Sequence, residues 1–142
     1  MDVRRIFAVD QPSRAIDVGL LLLRVSFGLS LFVKHGIEKI TGFEVMSQGF
    51  PDPLHLGPAV SLAIATASDA IAASLLIVGL AARPSALLIA CNVGVAWVFV
   101  HQAQFFGPKA DHGEVCVLYL CGFLSIMVCG AGRLSIDFFI SK

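Results

Sequence analysis

Residues 19–33 read GLLLLRVSFGLSLFV, with Arg24 as their only charged side chain. A helix that crosses a bilayer needs about 20 mostly apolar residues, and the run from about 18 to 37 supplies them. Three more apolar stretches follow, at about 59–80, 85–100 and 115–130. The 142-residue chain is 57% hydrophobic and 14% charged, whereas soluble domains average about 25% charged. Too few charges remain to wet the surface of a chain this small, so lipid is the expected solvent. The predicted fold class is an all-α integral membrane four-helix bundle, a single domain over residues 1–142.

The connectors support this division. Residues 40–58 hold Gly42, Gly49, Pro51, Pro53, Gly57 and Pro58 among apolar side chains, a loop expected at the interface or dipping into the bundle. Arg83-Pro84 should close one helix and open the next, since proline suits a first helical turn. Residues 102–113 form the third connector. Arg4, Arg5, Arg14, Arg83, Arg133 and Lys142 fall on one side of the bundle, Lys34, Lys39 and Lys109 on the other. Basic residues mark the cytoplasmic side, so both termini are expected there, in a multi-pass protein of the bacterial inner-membrane type. The first sixteen residues lack the basic–apolar–small order of a signal peptide, so the first span is expected to be retained.

Composition excludes some functions. Net charge is zero with no basic stripe, which argues against nucleic acid. Cys91, Cys116, Cys121 and Cys129 lie in apolar stretches without a C-x-x-C pair and read as small hydrophobes. His101, Asp111, His112 and Glu114 match no compact metal-ligand spacing, so no metal is expected. Phosphate-loop and Ser-His-Asp patterns are absent from the sequence.

The polar residues inside spans are the candidates for chemistry, because a charge at the centre of a membrane helix costs roughly 2.5–3.5 kcal/mol and needs a partner. Arg24 lies about 10 Å from the near end of its helix and Asp69 about 16 Å from the same face. That offset predicts a buried Arg24–Asp69 ion pair; the alternative is Arg24 snorkelling to headgroups. Arg24, Gly28, Leu31 and His35 share one helix face, with Lys39 continuing toward the wet end. His35, His101, Glu114 and Lys39 are expected to converge at one end of the bundle. Glu114, Cys121 and Ser125 share a face of the last helix, and Asn92 falls half a turn out of phase with His101. Ala59, Ala63 and Ala67, and Ala86, Ala90 and Gly94, are spaced for close helix packing.

Four blocks in order carry a family resemblance. They are LLLRVSFGLSLFVKHGIEKITGF from Leu21, SDAIAASLLIVGLAARPSALLI from Ser68, the Ala96–His101 region followed by Glu114, and GAGRLSID from Gly130. Together they resemble the DoxX family of small membrane proteins over roughly residues 20–137. The family's Arg, Gly and H-G-x-x-K map to Arg24, Gly28, His35, Gly36 and Lys39. Its acid and G-L-x-x-R map to Asp69, Gly79, Leu80 and Arg83. Its closing motif maps to Gly130, Gly132, Arg133, Ser135 and Asp137. Where the family commonly has Glu, this chain has the shorter Asp69.

The resemblance implies four membrane helices and, for some relatives, quinone-linked oxidation of sulfur compounds or thiol stress defence. The reading is therefore a membrane subunit of such an oxidoreductase, with His35, His101 and Glu114 as catalytic candidates. Arg24, Asp69 and Lys39 would form a ligand-binding or structural group. Quinone is the expected cofactor. The expected partners are lipid, a redox partner protein and further copies of the chain. A small-solute transporter and a membrane assembly factor stay open as alternatives.

Overall fold

The computed structural model describes residues 14–103 and 113–141, all of whose regular structure is helical. Asp111 and His112 lie outside the described residues. Three helices among the described residues are long and apolar enough to cross a membrane: α1 (Arg14–Thr41), α3 (Pro58–Val78) and α4 (Ala82–Val100). Short α2 (Phe43–Met46) lies between the first two. The apolar helix α5 (Gly113–Cys129) has 17 residues, about 26 Å of rise. Short α6 (Ile136–Ile140) closes the chain. The first helix is longer at both ends than its apolar run, because polar residues such as Arg14, Asp17 and Lys39 continue the helix beyond it.

Local signals explain the boundaries. Pro58 opens α3 after Gly57, where its missing N–H is no loss. Gly79 ends α3 with φ +74°, the left-handed cap that glycine adopts without strain. Pro84 sits within the first turn of α4. Exposed apolar side chains such as Leu22, Val33, Ile71, Leu118 and Val128 cover the outside, as befits a lipid-facing surface.

The core runs between α1, α3, α4 and α5 and includes Leu31, Leu76, Ile89, Phe123 and Ile126. Ala86 and Ala90 are buried on α4, and α4 packs along α5. The matching expectation for α3 fails: Ala59 and Ala63 are exposed, and the buried face of that stretch is Leu62 and Ala65 instead.

Each long helix contains one π-helical turn: Phe32–Gly36 in α1, Ala67–Ala72 in α3 and Ala96–Val100 in α4. Such a turn takes an extra residue, and one residue is worth about 100° of helix rotation. In α1 the buried positions run Arg24, Gly28, Leu31 and then Gly36 and Lys39. A regular helix would have continued the stripe through His35; the π turn moves it one residue on. The π turns of α1 and α3 lie against each other. A Cβ on Gly36 would come within 2.5 Å of the Asp69 carbonyl oxygen, so only glycine permits this approach.

Candidate functional site

Two buried cations on α1 have different surroundings. Arg24 is 1% exposed. Its guanidinium donates to the Ile77 carbonyl at 2.7 Å, the Leu76 carbonyl at 3.3 Å, and the Leu134 carbonyl. Two of these acceptors end α3, where unpaired carbonyls and the helix dipole both favour a cation. Gly79 makes room: a Cβ there would lie 2.5 Å from Arg24 Nη1 and 2.6 Å from Ser135 Cβ.

The segment GAGRLSID completes this end as a clasp. The Asp137 carboxylate accepts from the first amides of α4, Ala81 N–H at 2.7 Å and Ala82 N–H at 2.8 Å, while its own N–H donates to Gly79 O at 2.9 Å. An anion at a helix start is favourable. Asp17 of α1 accepts from the Arg133 N–H at 2.9 Å. Thus the motif whose role the sequence did not disclose ties the start of α1 to the α3–α4 turn.

The expected Arg24–Asp69 pair is not formed. Gly36 sets the level of Asp69 on α1, whereas Arg24 lies level with Ile77 near the other end of α3. Counting depth from the apolar runs assumed that the first run begins level with the end of α3; Arg24 itself lies level with that end, so α1 extends well past it. Asp69 pairs instead with Lys39, Nζ to Oδ2 at 2.8 Å. Its Oδ1 accepts from Ser68 Oγ at 3.0 Å and Asn92 Nδ2 at 3.1 Å. Lys39 is 9% exposed and Asp69 4%, so both charges are removed from solvent and held by each other.

This ion pair borders a cavity of about 450 Å³, within the usual range for small-molecule sites. Leu31, Ile64, Val93 and Tyr119 give it apolar walls, and Phe50, Pro51, Pro53 and Leu54 of the loop after α2 reach it from the mouth. His35 and His101 both line it, with Lys39, Asp69 and Asn92. The structure thus brings four of the sequence-predicted residues together: His35, His101, Lys39 and Asp69. It leaves Arg24 outside the lining, bound to backbone. Glu114 is exposed and also outside the lining, since α5 turns Gly113 and Cys116 inward instead.

Asn92 was missed. Its nine-residue separation from His101 is half a turn out of phase in a regular helix. The π turn Ala96–Val100 rotates the end of α4 and brings both onto the cavity. No residue type announces a π turn, so the only available signal was the polarity of Asn92 within an apolar span. Cys91 and Cys116 also line the cavity as free thiols. Among the described residues, no group of three His, Cys, Asp or Glu is placed to hold a metal ion.

Comparison with known proteins adds the lineage. Residues 19–102 match the model of the DoxX family. An uncharacterized protein of Haemophilus influenzae is 33% identical over 138 residues, covering 94% of this chain and 91% of its own. A second uncharacterized protein of the same organism is 30% identical over 114 residues, covering 75% and 80%. No solved structure matches.

Proposed function

Since this chain belongs to the DoxX family of membrane proteins, we propose that it is the membrane subunit of a quinone-linked oxidoreductase acting on sulfur compounds or thiols. The observation that supports this most is the cavity itself: apolar walls, an internal ion pair and two histidines in one space of about 450 Å³. A quinone head group suits that composition, being flat and apolar with oxygen acceptors at its edge. When bound, it would supply a two-electron acceptor. Two thiols oxidised to one disulfide release two electrons and two protons, which convert one quinone to its quinol.

The chain's own residues bind, orient and move protons. Leu31, Ile64 and Tyr119 would hold the ring and keep water out. His35 and His101 would hydrogen-bond the ligand oxygens and hand over protons, a role imidazole fills near neutral pH. Lys39 and Asp69 would fix the inner end. Glu114, exposed at the start of α5, fits contact with solvent or a partner better than contact with the ligand.

In this reading the bundle crosses a bacterial inner membrane four times with both termini in the cytoplasm. The cavity then opens near the outer face, beside the loop after α2. Cysteine-accessibility labelling of that loop and of the C-terminus in intact cells tests the orientation; labelling of the C-terminus from outside would overturn it.

Function is tested by purification in lipid nanodiscs, solvent extraction and chromatography for quinone, then quinone reduction with thiosulfate, sulfite or a dithiol in membranes. Co-purifying quinone and donor-dependent reduction that falls at least tenfold in His35→Gln or His101→Gln is expected. Absence of bound quinone, together with no turnover for any donor, would overturn the proposal.

A further inference from the structure

We infer that the cavity floor selects uncharged ligands that present an oxygen acceptor, and rejects anions of the same shape. The inference rests on the quinone reading and specifies the head group that this site takes. Its basis is the bond inventory of the floor. Asp69 Oδ2 is engaged by Lys39, and Oδ1 by Ser68 and Asn92. The carboxylate therefore has little capacity left to receive a donor from a ligand. Lys39 is in the opposite state. An ammonium has three N–H bonds, and among the described residues one goes to Asp69. Two remain for whatever enters the cavity that Lys39 lines. The group recognised at the floor is thus an acceptor.

Charge then decides between kinds of acceptor. The ammonium and carboxylate are 2.8 Å apart and sum to zero. Asn92 and Ser68 add dipoles but no charge. An incoming anion would meet Asp69 nearly as closely as Lys39, in surroundings where water screens little. It would lose its own hydration without gaining a free cation. A neutral carbonyl loses far less hydration and gains a charge-assisted hydrogen bond from Lys39. The apolar walls favour the same ligand.

Two naphthoquinones of nearly equal shape make the test: menadione, which is neutral, and 2-hydroxy-1,4-naphthoquinone, which is ionised at neutral pH. Binding is measured by equilibrium dialysis against protein in nanodiscs, with empty nanodiscs subtracted for lipid partitioning. The wild type is expected to bind menadione at least tenfold more tightly. Lys39→Met should lose at least tenfold for menadione. Asp69→Asn, which leaves the ammonium uncompensated, should reverse the preference. The double variant Lys39→Met with Asp69→Leu leaves neither charge on the floor and should bind menadione at least tenfold more weakly than the wild type; it carries the test if the single variants do not fold.

Equal binding of the two probes by the wild type would overturn the inference and leave the quinone reading standing. So would unchanged menadione binding in folded Lys39→Met or in the double variant. Failure of both probes to bind the wild type would overturn the quinone reading and this inference with it.

Discussion

The two ends of α1 each bury a cation, and they do so by different chemistry. Arg24 spends its guanidinium on backbone carbonyls of α3 and the chain before α6 and lies outside the lining of the cavity. Lys39 spends one N–H on a side-chain carboxylate and faces a cavity with the rest. Carbonyls at a helix end need a donor wherever the helix stops, so Arg24 answers a requirement of the fold. A buried Lys–Asp pair is no such requirement: well-packed apolar residues often serve stability equally well. Its presence beside the cavity is what the proposed function draws on. In the proposed reading the clasp end holds the bundle together and the cavity end binds the ligand.

The largest expected effect tests that contrast directly. Asp69→Leu leaves Lys39 buried without its partner, which costs about 3–5 kcal/mol. The double variant Lys39→Met with Asp69→Leu removes both charges and should recover most of that loss. Thermal unfolding in detergent, followed by fluorescence-detected size exclusion, measures the stability. Quinone binding should be lost in the double variant although the fold returns. A double variant no more stable than Asp69→Leu would assign the pair to the fold and dissolve the contrast.

Arg24→Leu should show the opposite pattern. It orphans carbonyls that cost about 1–3 kcal/mol each when left unpaired; the relief of not burying a cation offsets part of this. A net loss on the order of 3 kcal/mol is expected. Binding per folded molecule should change less than twofold. Arg24→Lys should retain only part of the stability, since one ammonium cannot spread over three carbonyls as the planar fork does. A tenfold loss of ligand affinity in folded Arg24→Lys would show that the clasp reaches the cavity.

The helical class, the positions of the long apolar helices and the joint placement of His35 and His101 were legible in the sequence, because hydropathy and length decide them. The pairing of charges was not. Arg24 and Asp69 looked matched because both are costly in lipid, yet hydropathy does not say how far one helix extends past its neighbour, and Arg24 sits level with the end of α3. Lys39 is expected near the polar face of its helix and in the same group as Asp69, but not as the direct partner of that carboxylate. The π turn Ala96–Val100 brings Asn92 and His101 together. A 3.6-residue periodicity has no term for an extra residue, so every phase argument that crosses a π turn is off by one position. Glu114 lies outside the cavity lining for a simpler reason: its place at a helix start fixes its level but not its direction.

Gly36 offers a smaller perturbation of the cavity end alone. In Gly36→Ala, the new methyl would meet the Asp69 carbonyl oxygen at 2.5 Å, and that oxygen is backbone, so α1 and α3 must separate. Overpacking of this kind costs about 1–3 kcal/mol. The separation should lengthen the Lys39–Asp69 contact and lower quinone affinity several-fold. Gly19→Ala is the control, since a Cβ there meets nothing within 4 Å. Equal affinity in both variants would mean that the approach of the two π turns does not set the geometry of the floor.

The smallest effect concerns a carboxylate in the loop whose neighbouring residues line the cavity. Asp52 ties the loop to the start of α3: it accepts from Ser61 Oγ at 2.7 Å, Gly57 N–H at 2.7 Å and Leu56 N–H at 2.9 Å. The Ser61 hydroxyl foremost, then these amides and the neighbouring His55, hold its carboxyl below the ordinary carboxylate value, against a weaker opposing effect of burial. Protons therefore bind the unfolded loop more readily than the folded one. The tether is fully present above the ordinary Asp value, about 3.9, and is lost as pH falls through the lower value of the folded loop. Hydrogen exchange at the Leu56 and Gly57 amides, corrected for intrinsic rate, should show protection that is constant from pH 7 to 5 and declines below pH 4. Asp52→Asn should lower the protection and abolish its pH dependence, while the amides of Ala81 and Ala82, bound by Asp137 at the clasp end, keep theirs. A pH dependence that persists in Asp52→Asn would place the responsible proton on another group, and the loop would no longer be held by this carboxylate.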